Sequence, residues 1–174
     1  LLRHGLTMAL IAAICICIPF IPSALFSSLS NLMVAPNKYI FWSFCVGVMI
    51  LIFLKSTNRD LNLREIFWIT YLFVISLVEE ITFRLSIPLV AKEFFGIGLF
   101  WFYVFLSNTL FAIIHYFTLR WKIRACILAF LGGMAFSRLF ETTEDLALVI
   151  ILHWAITFLN TPTPPKIENL ATKN

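Results

Sequence analysis

Residues 76–90 read SLVEEITFRLSIPLV, and the adjacent acids Glu79 and Glu80 stand in a run with no other charge from Phe67 to Val78 and none from Leu85 to Ala91. An acid at the centre of a membrane helix costs roughly 2.5–3.5 kcal/mol on insertion scales, so two in succession, with Arg84 close behind, point to a functional site. On a helix, neighbours stand about 100° apart, and Glu79 and Glu80 therefore serve different faces. Glu80 and Arg84 are four residues apart and can pair directly. That division makes Glu80–Arg84 the expected structural ion pair. It leaves Glu79, with Phe83 beside it, as the expected chemical group.

The rest of the chain is apolar enough to need lipid as its solvent. Of 174 residues 61% are hydrophobic and 13% charged, with a mean hydropathy of +0.95. A water-exposed surface cannot absorb that excess in a domain of this size. The net charge of +4 is small, and no basic stripe with interleaved aromatics is present, which argues against nucleic acid as a partner. Cys15, Cys17, Cys45 and Cys126 lie in apolar runs without CxxC or histidine spacing, and read as small buried hydrophobes.

The chain opens on LLRHGLTM without an initiator methionine, the start expected of a processed or partial product. A basic start and an apolar run also fit a signal peptide over residues 1–30, although Ile11 to Phe26 is long for one unless Pro19 and Pro22 end it early. The expected fold is all-α, a polytopic membrane helical bundle of about six segments: 6–29, bent or ended near Pro19 and Pro22; 39–54; 66–91, broken or kinked at Pro88; 99–119; 125–140; and 146–160. The polar stretch 56–65 is an aqueous loop that turns into a helix start at Asn62. Ala125, Ala129 and Gly133 form a small-residue ladder for close helix approach. Trp42, Trp68, Trp101 and Trp121 fall near segment ends, where an interfacial belt places them. By organisation, residues 1–60 form an N-terminal transmembrane pair and loop, 61–160 the core, and 161–174 a disordered tail.

Lysine and arginine bias supports this topology. Arg3, Lys55, Arg59, Arg64, Arg120, Lys122, Arg124, Lys166 and Lys173 fall on one side, and only Lys38 and Lys92 on the other. The bias sets both termini on the cytoplasmic side or its organellar equivalent. The protein is thus expected to be integral to the bilayer and multi-pass.

Three histidines complete the set of groups that move protons near neutral pH. His4 reads as an interfacial residue near the chain start. His115 and His153 sit in apolar helices, on segments different from that of Glu79, and a glutamate with two imidazoles can activate water or hold a metal. Phe111 lies one turn before His115, and Thr157 and Asn160 share a stripe with His153. Straight helices would put Glu79 roughly 22 Å and His115 roughly 30 Å below the turn at 92–96, with His153 roughly 12 Å below the acidic loop of Glu141, Glu144 and Asp145. Bringing them together calls for tilt, a break at Pro88, or loops of unequal height.

These motifs resemble a known family. EEITFR (79–84) is similar to the EExxxR motif, and FAIIH (111–115) to the FxxxH motif, of the CAAX-protease and bacteriocin-processing membrane proteins (CPBP or ABI family), with His153 where a third motif, HxxxN or similar, is expected. The resemblance covers about residues 65–160. It implies intramembrane endopeptidase activity, as in type II CAAX prenyl endopeptidases, on a peptide or protein substrate in the membrane. By that resemblance Glu79 with His115 activates the attacking water, and His153 with the residue one turn later stabilises the oxyanion. Here that residue is Thr157 rather than asparagine, a shorter donor; Asn160 substitutes only if the helix end bends inward.

Two other readings stay open. Thr157 motivates a catalytically impaired scaffold or assembly factor bound to another membrane complex. Buried acids and histidines also mark ion pathways, although no inverted repeat accompanies them. For cofactors, Glu79, His115 and His153 could hold zinc as a His₂Glu set. HExxH is absent, however, and Arg84 disfavours a cation nearby, so water activation without a metal is the expected chemistry and zinc the alternative.

Overall fold

The computed structural model describes residues 2–164, and every regular element among them is helical. Helix α1 (Leu2–Ile16) is followed by α2 (Ile21–Ser28) and α3 (Ser30–Val34). The two arms of this unit meet at 105°. Pro19 lies in the break, and Pro22 sits in the first turn of α2, where a missing N–H costs little. Then come α4 (Pro36–Ser56), α5 (Leu63–Glu80), a π-helical segment (Ile81–Ser86), α6 (Ile87–Phe95), a 3₁₀ turn (Ile97–Leu99), α7 (Phe100–Leu119), α8 (Ile123–Thr143) and α9 (Leu146–Asn160).

Among the described residues, four helices are long and apolar enough to cross a membrane: 36–56, 63–95, 97–119 and 123–143; the bent 3–34 unit makes a fifth if counted as one span. The expected "about six" is met to that approximation. The fifth expected segment is longer than its reading, at 21 residues. The sixth, α9, has 15 residues, short of the roughly 20 that a full crossing needs.

The polarity of the bundle is inverted relative to a water-soluble one. Glu79, Glu80, Arg84, Asn108, Ser76 and Ser86 are buried, whereas Phe44, Ile52, Phe105, Ile113, Leu128 and Leu131 are exposed. Ionisable groups facing inward and large apolar groups facing outward is the arrangement hydrocarbon selects. Helix α5 is central. Trp68 and Leu72 pack with Tyr39, Val46 and Ile50 of α4 and with Phe158 of α9.

Sequence punctuation explains the ends of the elements. Asn62 caps α5 by accepting from the amide of Glu65, and Asp145 caps α9 by accepting from the amide of Leu148. Asp145 also accepts from Lys38 Nζ and the Tyr39 hydroxyl, each at 2.7 Å, which ties the start of α9 to the first turn of α4. Past α9, Trp68 Nε1 donates to the Thr161 carbonyl and Arg59 to that of Pro162. The rest of the expected tail, 165–174, lies outside the described residues.

Pro88 does not break its segment. The run 63–95 is continuous, and what changes is the winding just before the proline. In the π segment the amide of Ile87 bonds to the carbonyl of Thr82. The next bond in that series would join Pro88 to Phe83, which a proline cannot make. Ser107 of α7 supplies the missing donor, its hydroxyl 2.7 Å from the Phe83 carbonyl. Ser86 donates likewise to the Ile81 carbonyl at 2.7 Å.

Candidate active site

The last turn of α5 carries Glu79 inward, where imidazoles from three other helices converge on its carboxylate. His115 Nε2 of α7 lies 3.5 Å from Oε1, and His153 Nε2 of α9 lies 3.7 Å from Oε2. His4 of α1 is closer still, its Nε2 hydrogen-bonded to Oε1 at 2.9 Å. Glu79, His115 and His153 are brought together, although straight-helix depths placed them apart. The inward position of His4 corrects its reading as an interfacial residue, since it is buried at 3% exposure.

The second carboxylate does two jobs. Glu80 Oε2 stands 3.3 Å from Arg84 Nε, both side chains fully buried, as the i,i+4 spacing requires. Glu80 Oε1 stands 2.6 Å from His153 Nδ1. One imidazole thus bridges the two acids, with Nδ1 toward Glu80 and Nε2 toward Glu79. The roughly 100° between adjacent helix positions is spanned by a ring that reaches both.

Phe111 gives FxxxH its physical content. Its ring sits 4.3 Å from that of His115, 5.1 Å from Phe83, and 4.6 Å from the Arg84 guanidinium carbon, a cation–π contact between buried groups. Its carbonyl, 2.8 Å from His115 Nδ1, fixes the imidazole's orientation. Gly133 serves the same region from α8. A Cβ there would collide with Asn108 Oδ1 and come within 3.1 Å of Arg84 Nη2. The small-residue ladder, with Ala125 and Ala129, lines the cavity described next.

Glu79 and the three histidines open onto a cavity of about 620 Å³. Its apolar wall includes Leu72, Ile75, Leu119, Leu128, Phe136 and Ile156. Thr157 lines it with its hydroxyl 3.4 Å from that of Ser76. Asn160 is exposed and lines both this cavity and a second one of about 620 Å³, walled by Arg3, Arg120, Trp121 and Thr161. Asn160 is therefore a residue of the mouth, two helical turns from His153.

Among the described residues, the group close enough to share a metal ion is His4, Glu79 and His115, one ligand atom each within 4.8 Å; His153 is not in it. Two ligands on a tetrahedral zinc with bonds of about 2.0–2.2 Å stand about 3.3–3.5 Å apart. His4 and Glu79 at 2.9 Å have the spacing of a direct hydrogen bond. The set is chemically fit for zinc after a small separation of those two atoms.

His4 escaped the sequence reading because no spacing relates it to Glu79, 75 residues on. The usable signal was a histidine with a helical apolar run behind it, which places it at depth if the run packs inside. One protein-family model, described as type II CAAX prenyl endopeptidase Rce1-like, matches residues 62–159, more than half of the chain. Neither a curated protein nor a solved structure matches.

Proposed function

Because the chain belongs to the type II CAAX prenyl endopeptidase Rce1-like family, we propose that it is an intramembrane endopeptidase that cleaves a membrane-associated peptide or protein with water activated at Glu79. The observation that carries the reading is the convergence on one buried carboxylate of His115 at 3.5 Å and His153 at 3.7 Å, at the wall of a 620 Å³ cavity. A water seated between Glu79 and His115 is polarised by both, and its proton passes to that couple as the oxygen attacks the scissile carbonyl. On this reading His153, on the opposite oxygen of Glu79, and Thr157 one turn on are the donors to the developing oxyanion. Glu80 and Arg84 hold the site's charge near balance and orient His153. No metal ion is required by this scheme.

The apolar cavity wall suits a substrate segment that partitions into lipid, and the two pockets that share Trp68, Leu119, Trp121 and Asn160 form a path to it from the mouth. On the six-segment reading, the lysine and arginine bias favours both termini on the cytoplasmic side or its equivalent. Purified protein in bilayer discs, given peptides with and without a lipid anchor, tests the reading. His115→Ala and His153→Ala should each lower turnover by about 10²-fold or more. Cleavage at the wild-type rate in both variants contradicts it.

A second reading rests on Thr157, whose hydroxyl faces Ser76 where the resembling family carries an asparagine. On it the chain is a scaffold bound to another membrane complex. Stable co-purification with such a complex, unaffected by His115→Ala and without cleavage, distinguishes the two.

A further inference from the structure

The outer cavity, about 620 Å³, is lined by two guanidinium groups and, among the described residues, by no acid. Arg3 comes from the start of α1, Arg120 and Trp121 from the turn between α7 and α8, and residues 160–163 from the end of α9. These are all helix ends, so the cavity lies at one end of the bundle. Trp68 and Trp121, both in its wall, favour the level of the membrane–water interface.

The walls are held in place by bonds of their own. Arg3 Nη2 donates to the carbonyls of Phe117 and Thr118 at 2.6 and 2.9 Å, which fixes this guanidinium against the end of α7. Its other N–H groups stay available to a ligand. Trp68 Nε1 and Arg59 hold the carbonyls of Thr161 and Pro162. Arg120 is exposed and, among the described residues, makes no hydrogen bond or ion pair. Its backbone is left-handed, with φ at 56°, at the end of a helix where glycine is usual. Backbone preference therefore does not account for an arginine there. Nor does the basic character of the turn, since Lys122 and Arg124 supply charge to it without lining the cavity.

We propose that this mouth is a binding site for an anionic phospholipid, its phosphate held between Arg3 and Arg120 and its headgroup hydroxyls against Asn160 and Thr163. Guanidinium groups pair with phosphate oxygens through two parallel N–H bonds, and basic pockets between membrane helices suit such headgroups. A small free anion would meet the same charges but leave most of the cavity to water. A phospholipid brings its phosphate to interface depth unaided, and Leu119 and Trp121 offer an apolar side to its glycerol and first acyl carbons. Two oxygens of a phosphodiester also answer two arginines carried by different elements, where one carboxylate is served by a single guanidinium. The cavity of Glu79 shares Trp68, Leu119, Trp121, Asn160 and Thr161 with this one, and the Trp121 ring stands 4.8 Å from that of His115. A bound lipid therefore stands at the entrance to the buried carboxylate, whether or not the chain hydrolyses anything.

Native mass spectrometry of the intact protein, released from bilayer discs of phosphatidylcholine mixed with phosphatidylglycerol, counts the lipids it retains. Wild type should keep one phosphatidylglycerol in preference to phosphatidylcholine. Arg120→Gln and Arg120→Gly should each cut that preference about fivefold or more. Glycine suits the left-handed backbone, so Arg120→Gly should do this with no loss of thermal stability in phosphatidylcholine discs. The double variant Lys122→Gln, Arg124→Gln removes two charges from the same turn but touches neither cavity wall, and should leave the preference intact. An equal loss in that variant, or no loss in Arg120→Gln, overturns the proposal. Two further results would contradict the lipid assignment. Glycerol 3-phosphate that raises the thermal midpoint in phosphatidylcholine discs as far as phosphatidylglycerol does would make the ligand a soluble anion. Displacement of phosphatidylglycerol by a peptide with a free terminal carboxylate, but not by its amide, would give the site to a peptide.

Discussion

Ser107 donates its hydroxyl to the backbone carbonyl of Phe83, 2.7 Å away, the acceptor that Pro88 leaves without an amide. This bond joins α7, which carries His115, to the segment that follows Glu79 and Glu80. A winding defect and its remedy thus set the relative height of two catalytic candidates. π-helical insertions of this kind recur at functional sites.

Removing that hydroxyl should cost about 1–3 kcal/mol, since Phe83's carbonyl would be buried without a donor. Ser107→Ala is expected to lower the thermal midpoint in detergent or bilayer discs. In Pro88→Ala, where an amide becomes available, the same change should cost much less. Equal costs in the two backgrounds would show that the two sites are not coupled.

Gly133→Ala tests the close approach of α8. The new methyl group meets the Asn108 carbonyl oxygen and presses on Arg84 Nη2, and overpacking of this kind typically costs about 1–3 kcal/mol. Both stability and turnover should fall. Gly132→Ala, next to it, meets nothing within 4 Å and should be close to neutral. If the two behave alike, the steric account of the ladder fails.

Arg84→Met leaves Glu80 buried beside His153 without its cation, a loss of about 3–5 kcal/mol by the usual behaviour of broken buried pairs. The double variant Glu80→Gln, Arg84→Met should be markedly more stable than Arg84→Met alone. Folding measurements on all three forms decide the matter. A double variant less stable than the single would mean that Glu80 has another essential partner.

Outside the membrane core, Asp145 should govern an acid transition. Burial alone would raise its pKa, but the Lys38 ammonium, the Leu148 amide and the Tyr39 hydroxyl outweigh that and hold the carboxyl below the usual range. A group depressed in the folded state stabilises above its unfolded pKa, about 3.9, and loses that contribution as pH falls through the folded value. Wild type should therefore lose stability relative to Asp145→Asn on acidification below about pH 4. Parallel stability–pH curves for the two proteins would contradict this.

Much of the site could be read from residues whose cost in lipid demanded a reason. Glu79, Glu80 and Arg84 stood out because the runs around them are uncharged, and the Glu80–Arg84 pair followed from i,i+4 geometry. His115 and His153 were legible as imidazoles at depth. What could not be read was height. Rise per residue along straight helices separated Glu79, His115 and His153, because sequence does not reveal a π segment, an α9 of only 15 residues, or a 105° bend in the first unit. Pro88 announced a disturbance but not that Ser107 would absorb it. His4 depends on a contact with Glu79 across 75 positions, which no local pattern encodes; the small-residue ladder marked Gly133 for close approach but not Asn108, 25 positions away, as the group it meets.

The central claim is that the Glu79 carboxylate is the seat of hydrolysis. Its most direct test is single-turnover cleavage of a lipid-anchored peptide by wild type and by Glu79→Gln in bilayer discs. The side chains are nearly the same size, and the amide can still hydrogen-bond to His4. Loss of at least about 10²-fold in the cleavage rate with unchanged peptide binding is the predicted result. Equal rates would contradict it.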